Sequence, residues 1–490
     1  MWIKRGGKPI NQNHASIFQK CLNSCDLLDM GFSGPKFTWL DKHFDASLIL
    51  ERLDRVFCNP DWNSLFPDSS VLHLTRTRSD HYPVLVNLFQ SVRQTKVFRF
   101  EKLWLSESSL KEVVHHSWGE SSSLLTSIDK FTEFVQSWSK ATFKNIFKEK
   151  RTLLARIRGI QNKQQLNFFQ YLADLEAQLS SEYEMILSQE KDLWCMKSRI
   201  NHIIWNDMNT KFLQASTIQR RKRNRIHSLR NQAGDWINDH NQLRDHIYVF
   251  YQNFFSTVMI CSFMEPNEFP AMRRILDPDT KLLLGKVPSP MEIDQAIVDL
   301  KPFKAPGPDG LPPAFFQSFW SATKTSVYKL VQEIFVLSDM PEGANDTFLC
   351  LIPKSSHPET IRQFRPISLC NTPYKVLTKI LVNRIRPLMD SIIFPTQTSF
   401  IPGRRGSNNI FIVQEAIHSL KNKKGRKSFC ALKIDLEKAY DKLEWSFIRE
   451  PLNYFDFLPL LFHVIMKCIS SARMAILING SPSGWINPSR

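Results

Sequence analysis

The stretch "KIDLEKAYDKLEW", from Lys433 to Trp445, places an acidic and an aromatic residue close together behind an apolar run. The apolar run, Phe429 to Leu432, predicts a buried strand that ends just before Asp435. Tyr440 follows Asp435 by five residues. A carboxylate beside a buried strand carries a desolvation cost unless a cation or another polar partner offsets it. The stretch therefore predicts a binding role for Asp435 and directs attention to where a second carboxylate lies.

The composition is that of a globular protein with a polyanionic partner. The chain has 490 residues, enough for two or three domains, and 42% of them are hydrophobic. Its 64 Lys and Arg residues exceed its 47 Asp and Glu residues, which gives a net charge of +17. Such an excess favours nucleic acid as the partner, with a membrane surface as the second choice.

The cysteines and the apolar runs exclude several other classes. The nine cysteines include no C-x-x-C pair, so the sequence predicts neither a zinc module nor a disulfide framework and fits a reducing compartment. No apolar run approaches the roughly 20 residues that a membrane span needs. The first residues lack the apolar segment of a secretory signal. We therefore expect a protein of the nucleus or the cytoplasm, without a membrane partner.

Three zones of different composition follow one another, which predicts an α+β multidomain protein. Residues 1–90 have one helical pattern, "ASIFQKCLNSCDLLDM", and short apolar runs between turn signals. Residues 91–285 are mainly helical, with an apolar stripe at Leu172, Leu175, Leu179 and Ile186. Residues 286–490 alternate helical, loop and strand signals.

The helical zone contains a basic segment, residues 219–226. Five of the seven residues from Gln219 to Arg225 are Arg or Lys. We predict that they contact a nucleic-acid backbone, because phosphate neutralisation supplies affinity that does not depend on sequence. A solvated helix face and a nuclear-import signal are the alternatives. The candidate phosphate contacts are Arg220, Arg221, Lys222, Arg223 and Arg225.

The third zone carries further candidates for phosphate binding. "LIPK" predicts a strand that ends at Lys354, and Arg365 follows after a loop. Arg binds phosphate oxygens in pairs and Lys acts as a point charge, so the two could hold a triphosphate, although solvated surface charge explains each of them taken alone. The turn-rich "KAPGPDG", Lys304 to Gly310, is taken alone a plain connector.

Taken in order, these blocks carry a resemblance. "KAPGPDG", "LIPK", "FRPISLCNTPYKVLTKILVNRI", "FIPGRRGSNNI" and "KIDLEKAYDKLEW" resemble the fingers and first palm blocks of non-LTR (LINE-type) retrotransposon reverse transcriptases, especially those of plant elements. The resemblance spans about residues 287–490. It implies a partial fingers-palm domain that uses Mg²⁺ or Mn²⁺, an RNA template, DNA and deoxynucleoside triphosphates.

The same resemblance implies a role for each candidate. Asp435 would be the first palm metal ligand, with the backbone carbonyl of Leu436 as a second contact. Lys354 and Arg365 would lie on a fingers hairpin and hold the triphosphate, and Tyr440 would lie under the sugar and exclude a 2′-hydroxyl. We expect Asp435, Tyr440 and the two basic residues to meet in one cleft. Asp441 is expected to cap the helix that follows.

The first zone resembles a second enzyme of the same elements. "GFSGPKFTW", "RLDRVF" and "RTRSDHYPVL" in this order resemble the C-terminal half of their apurinic/apyrimidinic-type endonuclease, which implies a partial endonuclease/exonuclease/phosphatase-type β-sandwich. His81 would act at the attacking water or the scissile phosphate, Asp54 would orient it, and Asp80 would lie near the metal. The middle zone resembles the helical linker between the two enzymes.

The resemblance also predicts incomplete sites. The Asp-Asp pair of the polymerase family does not occur after Trp445, and the metal-binding glutamate of the endonuclease family has no match before "KRGGKP". We therefore expect a truncated polyprotein fragment that binds nucleic acid in a salt-sensitive way but has negligible nicking activity and does not polymerise. The alternative is a non-catalytic nucleic-acid-binding remnant of a decayed element. A group II intron-type maturase is disfavoured, because its endonuclease is of another type.

Overall fold

The structure is a computed structural model of the 490-residue chain. It describes residues 3–41, 48–76, 79–88, 97–119, 123–143, 145–165, 169–198, 210–257, 276–423, 429–436 and 438–490. Across these ranges no helix is both long enough and apolar enough to cross a membrane.

The N-terminal part is built from short strands and two helices. Strands β1, β4 and β3 form one antiparallel sheet, β2 pairs with β5, and β6 pairs with β7. Most of these strands pair with a neighbour over only two residues. The described part of residues 3–88 therefore does not form the two broad facing sheets of the predicted β-sandwich. The elements are β1 Lys4–Arg5, α1 Gln12–Ser24, β2 Leu28–Asp29, β3 Trp39–Leu40, β4 Leu50–Glu51, β5 Phe57–Cys58, α2 Pro60–Leu65, β6 Ser70–His73 and β7 Val84–Asn87.

The middle part is mainly helical. A small hairpin, β8 and β9, interrupts the helices after the basic segment. The apolar stripe predicted from the sequence is confirmed, because Leu172, Leu179 and Ile186 are buried against helix α5 with Leu175 beside them. The elements are α3 Leu110–Ser117, α4 Leu124–Thr142, α5 Ile146–Gln164, α6 Gln170–Ser198, α7 Thr210–Asn224, β8 Leu229–Arg230, β9 Trp236–Ile237, α8 His240–Phe254 and α9 Pro278–Gly285.

The C-terminal part contains a four-stranded sheet in the order β11-β10-β12-β13. Strand β10 pairs antiparallel with β11 and parallel with β12, and β12 pairs antiparallel with β13. The elements are α10 Pro290–Asp299, α11 Pro313–Ser318, α12 Trp320–Leu337, β10 Asp346–Pro353, β11 Phe364–Cys370, α13 Thr372–Ile385, α14 Met389–Ile392, α15 Gly406–Asn422, α16 Trp445–Tyr454, α17 Pro459–Ser470, β12 Arg473–Ile478 and β13 Ser481–Ile486.

Local capping sets where several helices begin. The side chains of Asn59, Asp277 and Ser289 each accept a hydrogen bond from a backbone N–H of the first turn of α2, α9 and α10. In each case a proline follows directly, where its fixed φ suits the helix and its missing N–H costs nothing. These starts are therefore encoded within a few residues of sequence.

Two buried cores join the middle and C-terminal parts. The larger core combines residues of α3 and α4 with residues of α10 to α13 and α17. In the second core, helix α8 packs Leu243, Ile247 and Tyr251 against Leu349 of β10 and Ile476 of β12. The compositional boundary near residue 285 consequently lies inside shared packing, and α8 belongs structurally with the sheet.

The N-terminal part contacts the loop between β10 and β11. The ring of Phe32 stacks on His357 with centroids 4.2 Å apart and on His73 at 4.3 Å. Lys36 Nζ lies 3.0 Å from a carboxylate oxygen of Glu359. These contacts fix the position of the loop that connects Lys354 to Arg365.

Candidate active-site residues

The hairpin of β10 and β11 brings Lys354 and Arg365 to one face. Arg365 pairs directly with Ile352, and the N–H of Lys354 donates to the Gln363 carbonyl at 2.8 Å. Residues opposite each other in an antiparallel pair share a face, and residues two apart on one strand share it too. Both side chains are exposed. The predicted hairpin placement of Lys354 and Arg365 is confirmed, and the two cations are available to one anion.

The "KAPGPDG" loop is docked rather than a plain connector. Asn371 Oδ1 accepts the N–H of Asp309 at 3.1 Å. The Asp309 carboxylate accepts the N–H groups of Leu311 at 3.2 Å and of Thr372 at 3.3 Å. Asp309 therefore caps helix α13, whose own N-cap residue makes no side-chain cap bond. The loop and the segment after Arg365 are held as one unit.

The pKa of Asp309 is raised to about 7, because burial disfavours the carboxylate more than the two N–H donors favour it. Lys375, which donates to the Ala305 carbonyl at 2.9 Å, has its pKa lowered by burial. Asp309 of the loop and Lys375 of helix α13 thus form an acid and a base whose charged forms are both disfavoured by desolvation.

Asp435 is not placed at the end of a buried strand, contrary to the prediction. Residues 429–436 form neither strand nor helix, and Asp435 is exposed. Leu432, Ile434 and Leu436 are 86%, 80% and 73% exposed. The apolar run pairs with no strand among the described residues, so it gains neither ladder hydrogen bonds nor burial. The predicted cleft that joins Asp435 and Tyr440 to Lys354 and Arg365 is not formed by the contacts observed.

Tyr440 and Asp441 lie in a short turn that follows the Asp435 segment. Tyr440 is 74% exposed, and its ring meets the edge of Phe400 with centroids 5.9 Å apart. Asp441 lies in a short 3-10 helix, Ala439–Lys442, and Glu444 is the N-cap residue of α16. The predicted capping role of Asp441 is therefore wrong, because the 3-10 turn delays the start of the helix. Burial raises the pKa of Asp441.

In the N-terminal part, His81 and Asp54 meet as predicted. His81 Nδ1 lies 2.9 Å from Asp54 Oδ2, and both side chains are partly exposed. Thr38 Oγ1 accepts the N–H of Asp54 at 2.8 Å, which fixes the carboxylate's backbone. Asp80 adjoins His81, and its carboxylate accepts from Trp39 Nε1 at 3.3 Å. The juxtaposition is confirmed, while the catalytic roles of the three residues stay predictions.

The basic segment is partly used inside the molecule, which corrects its predicted role. Arg220 donates to the Ser198 carbonyl at 2.6 Å, Lys222 lies 3.1 Å from Ser69 Oγ, and Arg225 lies 3.3 Å from Asp68. Local charge density alone could not reveal these partners, which are far away in sequence. Arg221 and Arg223 are exposed and remain the candidates for phosphate contact.

Comparison with known proteins places the hairpin and the Asp435 block in one domain. Residues 352–488 match the family described as reverse transcriptase (RNA-dependent DNA polymerase). The chain therefore carries a reverse transcriptase domain. The match begins at the last two residues of β10 and ends after β13, so it includes the whole of β11, β12 and β13.

Two relatives are proteins of transposable elements. The "Transposon TX1 uncharacterized 149 kDa protein" of Xenopus laevis is 27% identical over 289 residues, which are 58% of this chain and 22% of that protein. The "Retrovirus-related Pol polyprotein from type-1 retrotransposable element R1" of Bradysia coprophila is 27% identical over 198 residues, 39% of this chain and 18% of that protein. The chain thus spans about a fifth of the length of these relatives.

Reverse transcriptases use divalent metal ions, and the described residues fit such an ion only in part. A two-metal centre needs several carboxylate oxygens besides those of the substrate phosphates. Within the ranges that the structure describes, no three His, Cys, Asp or Glu side chains converge on one point. Asp435 and the Leu436 carbonyl supply one candidate position, so no catalytic step is assigned here through a metal ion.

Sequence reasoning missed the surroundings of Lys438. Its ammonium lies over the rings of Phe250, Tyr251 and Phe254, at 4.4 Å from the Phe254 centroid. Lys438, Phe250 and Phe254 line a pocket, and Arg362, three residues before Arg365, lines it too. The aromatic run "YVFYQNFF", from Tyr248 to Phe255, was the available signal, but in the sequence it resembles an ordinary buried helix face.

Proposed function

We propose that this chain is the part of a non-LTR retrotransposon polyprotein, of the plant type, that holds the fingers and first palm residues of an RNA-directed DNA polymerase. The observation that carries the proposal is the β10–β11 hairpin, which sets Lys354 and Arg365 on one exposed face within the matched domain. An exposed lysine and arginine on one rigid hairpin suit a triphosphate, because the strands hold both side chains at a fixed separation.

The other residues take the following roles in this proposal. Asp435, with the Leu436 carbonyl, provides a ligand position for Mg²⁺, and Tyr440 selects deoxynucleotides by excluding a 2′-hydroxyl. Arg221 and Arg223 contact the backbone of the nucleic acid. The substrates are deoxynucleoside triphosphates, an RNA template and a DNA primer, and the compartment is the nucleus or the cytoplasm.

Replacing Arg365 by Gln is expected to weaken deoxynucleotide binding about tenfold, because one charge-assisted pair of hydrogen bonds to phosphate is lost. The measurement is the affinity of the 490-residue chain for fluorescent dATP. Arg386→Gln is the matched control, since Arg386 is also exposed but lies on a short helix away from the hairpin. Lys354→Gln is expected to weaken binding less than Arg365→Gln, because Lys lacks the paired geometry.

Equal affinities for Arg365→Gln, Arg386→Gln and the unmodified chain would remove the hairpin from the triphosphate site. RNA-templated incorporation of deoxynucleotides is measured for the same variants and for Asp435→Asn. Loss of incorporation in Asp435→Asn would support the role of Asp435 as a metal ligand. The expectation that the 490-residue chain does not polymerise by itself stays a prediction, which the absolute rate of incorporation tests.

We infer further that the N-terminal part derives from an endonuclease of the endonuclease/exonuclease/phosphatase type. The 2.9 Å contact of His81 with Asp54 supports this, because a carboxylate-held imidazole can orient water or a phosphate. In this proposal Asp54 orients His81, and Asp80 lies near the metal.

For the endonuclease proposal, nicking of supercoiled plasmid in Mg²⁺ is the test. The nicking rate of the unmodified chain is expected to be negligible, and any residual rate is expected to fall roughly 10- to 100-fold in His81→Ala, since general acid–base groups contribute at least that much. Asp54→Asn, which preserves the shape of the side chain, is expected to fall as well. Nicking that continues unchanged in both variants would exclude the pair from the reaction.

A further inference from the structure

A pocket of about 530 Å³ lies between helix α8, the loop after β10 and the turn after Asp435. Helix α8 contributes His246, Phe250 and Phe254, and the two other segments contribute Arg362, Lys438 and Lys442. Helix α8 precedes residues 352–488, so the pocket combines the matched domain with the helical part before it. Its volume is in the range of sites that take one small molecule or one nucleotide.

The wall from helix α8 is aromatic. The rings of Phe250 and Phe254 are nearly parallel, at 6° with centroids 6.0 Å apart. The Lys438 ammonium lies 4.4 Å from the Phe254 centroid and 5.5 Å from the Phe250 centroid. The negative faces of the rings thereby hold a cation at the pocket. Aromatic faces of this kind are also surfaces on which nucleobases stack.

Basic side chains also line the pocket. Arg362, Lys438 and Lys442 line the pocket, and Asp245 is the one acidic residue among the lining residues that the structure describes. The excess of positive charge favours a phosphate over a neutral or cationic ligand. His246 adds a polar group, because its Nε2 atom is buried and has no hydrogen-bond partner among the described residues. Aromatic rings can stack on a nucleobase, the buried imidazole nitrogen can bond to its polar edge, and the basic side chains can bind its phosphate. The pocket lining therefore suits a nucleotide.

We propose that this pocket, beside the segment that carries Asp435 and Tyr440, binds one unpaired nucleotide of a single-stranded nucleic acid. The base stacks on Phe250, His246 meets the polar edge of the base, and Arg362 and Lys442 neutralise the adjacent phosphate. Lys438, held over the rings, adds a second charge. A base in a duplex has no open face, so the pocket selects single strands. Binding here needs no metal ion and no polymerisation, so it stands or falls separately from the proposed activity.

The test measures affinity of the 490-residue chain for labelled oligouridylate of about 12 nucleotides, a length within the range covered by known single-strand binding sites. Phe250→Leu keeps an apolar side chain and removes the ring; it is expected to weaken binding about tenfold with an unchanged salt dependence. Arg362→Gln is expected to weaken binding and to lower the slope of log affinity against log salt by about 1. Lys324→Gln, which removes one exposed charge on α12, is the matched control.

Two further readouts make the result decisive. The unmodified chain is expected to prefer the single strand over a duplex of equal length, and Phe250→Leu is expected to lose that preference. Photo-cross-linking with 5-iodouridine in the oligonucleotide is expected to label α8. If Phe250→Leu alters the far-UV circular dichroism and hence the fold, the affinity of Arg362→Gln tests the proposal instead, because Arg362 is exposed. Affinities of Phe250→Leu and Arg362→Gln equal to that of Lys324→Gln, or cross-links only elsewhere, would overturn the proposal.

Discussion

Asp29→Ala is expected to destabilise the N-terminal part by about 3–5 kcal/mol, because it leaves a buried guanidinium without its partner. Arg52 is 2% exposed, and two of its nitrogens each lie 2.9 Å from an oxygen of Asp29. Burial opposes ionisation of Asp29, but the hydrogen bond and charge of Arg52 and the Gly31 N–H hold its pKa below the usual value. The measurement is hydrogen exchange of the β2 and β5 amides.

The pH dependence has a definite sign. The pKa of Asp29 in the folded protein is lowered from 3.8. The ionised carboxylate therefore adds to the free energy of unfolding above pH 3.8, and this stabilisation is lost as the pH falls through the folded pKa. Asp339→Ala is the control, since its ion pair with Lys467 is exposed to solvent and therefore contributes little to stability. Adding Arg52→Met to Asp29→Ala is expected to recover part of the loss. An effect of Asp29→Ala no larger than that of Asp339→Ala would contradict the argument.

Gly307→Ala is expected to destabilise the C-terminal part by about 3 kcal/mol, at the upper end of the usual cost of overpacking. A Cβ atom at this position would lie 2.4 Å from Asn371 Oδ1 and 2.5 Å from both the Asn371 nitrogen and the Cys370 carbonyl carbon. Two of these three atoms belong to the backbone, so a rotamer change cannot relieve the clash. Urea unfolding followed by far-UV circular dichroism measures the effect.

Gly159→Ala is the matched control for this substitution. Gly159 lies inside helix α5, and a Cβ there meets nothing within 4 Å. The same chemical change is therefore expected to stabilise the protein by up to about 1 kcal/mol through helix propensity. Equal effects of the two substitutions would show that the "KAPGPDG" loop is not held against Asn371.

Features encoded by nearby residues were predictable from the sequence. The stripe from Leu172 to Ile186 predicted the buried face of α6, since helical spacing fixes which residues share a side. The strand before Lys354 and the loop after it were predictable from the residues of "LIPK" and those that follow, whereas the hairpin itself was implied by the order of the motifs. The contact of His81 with Asp54 came from the order of motifs, which encodes a known arrangement rather than local physics.

Features that depend on distant partners were not predictable. The run from Phe429 to Leu432 has strand-like composition, but a strand forms only where another strand pairs with it. Lys222 and Arg225 look like solvent-facing charge, yet residues more than 150 positions earlier accept their hydrogen bonds. The pocket beside Lys438 joins three segments that no local pattern connects.

The parallel pairing of β10 with β12 has a consequence for synthesis on the ribosome. Strand β11 follows β10 closely, but β12 begins roughly 120 residues later, which corresponds to about 6 to 24 s of translation at 5–20 residues per second. Throughout that interval the edge of β10 that later pairs with β12 has no strand partner. The apolar side chains of β10 are also not yet covered by Ile476 and Leu477 of β12. We expect nascent chains arrested before residue 473 to be bound by chaperones that recognise exposed strands, and to be released once β12 has emerged.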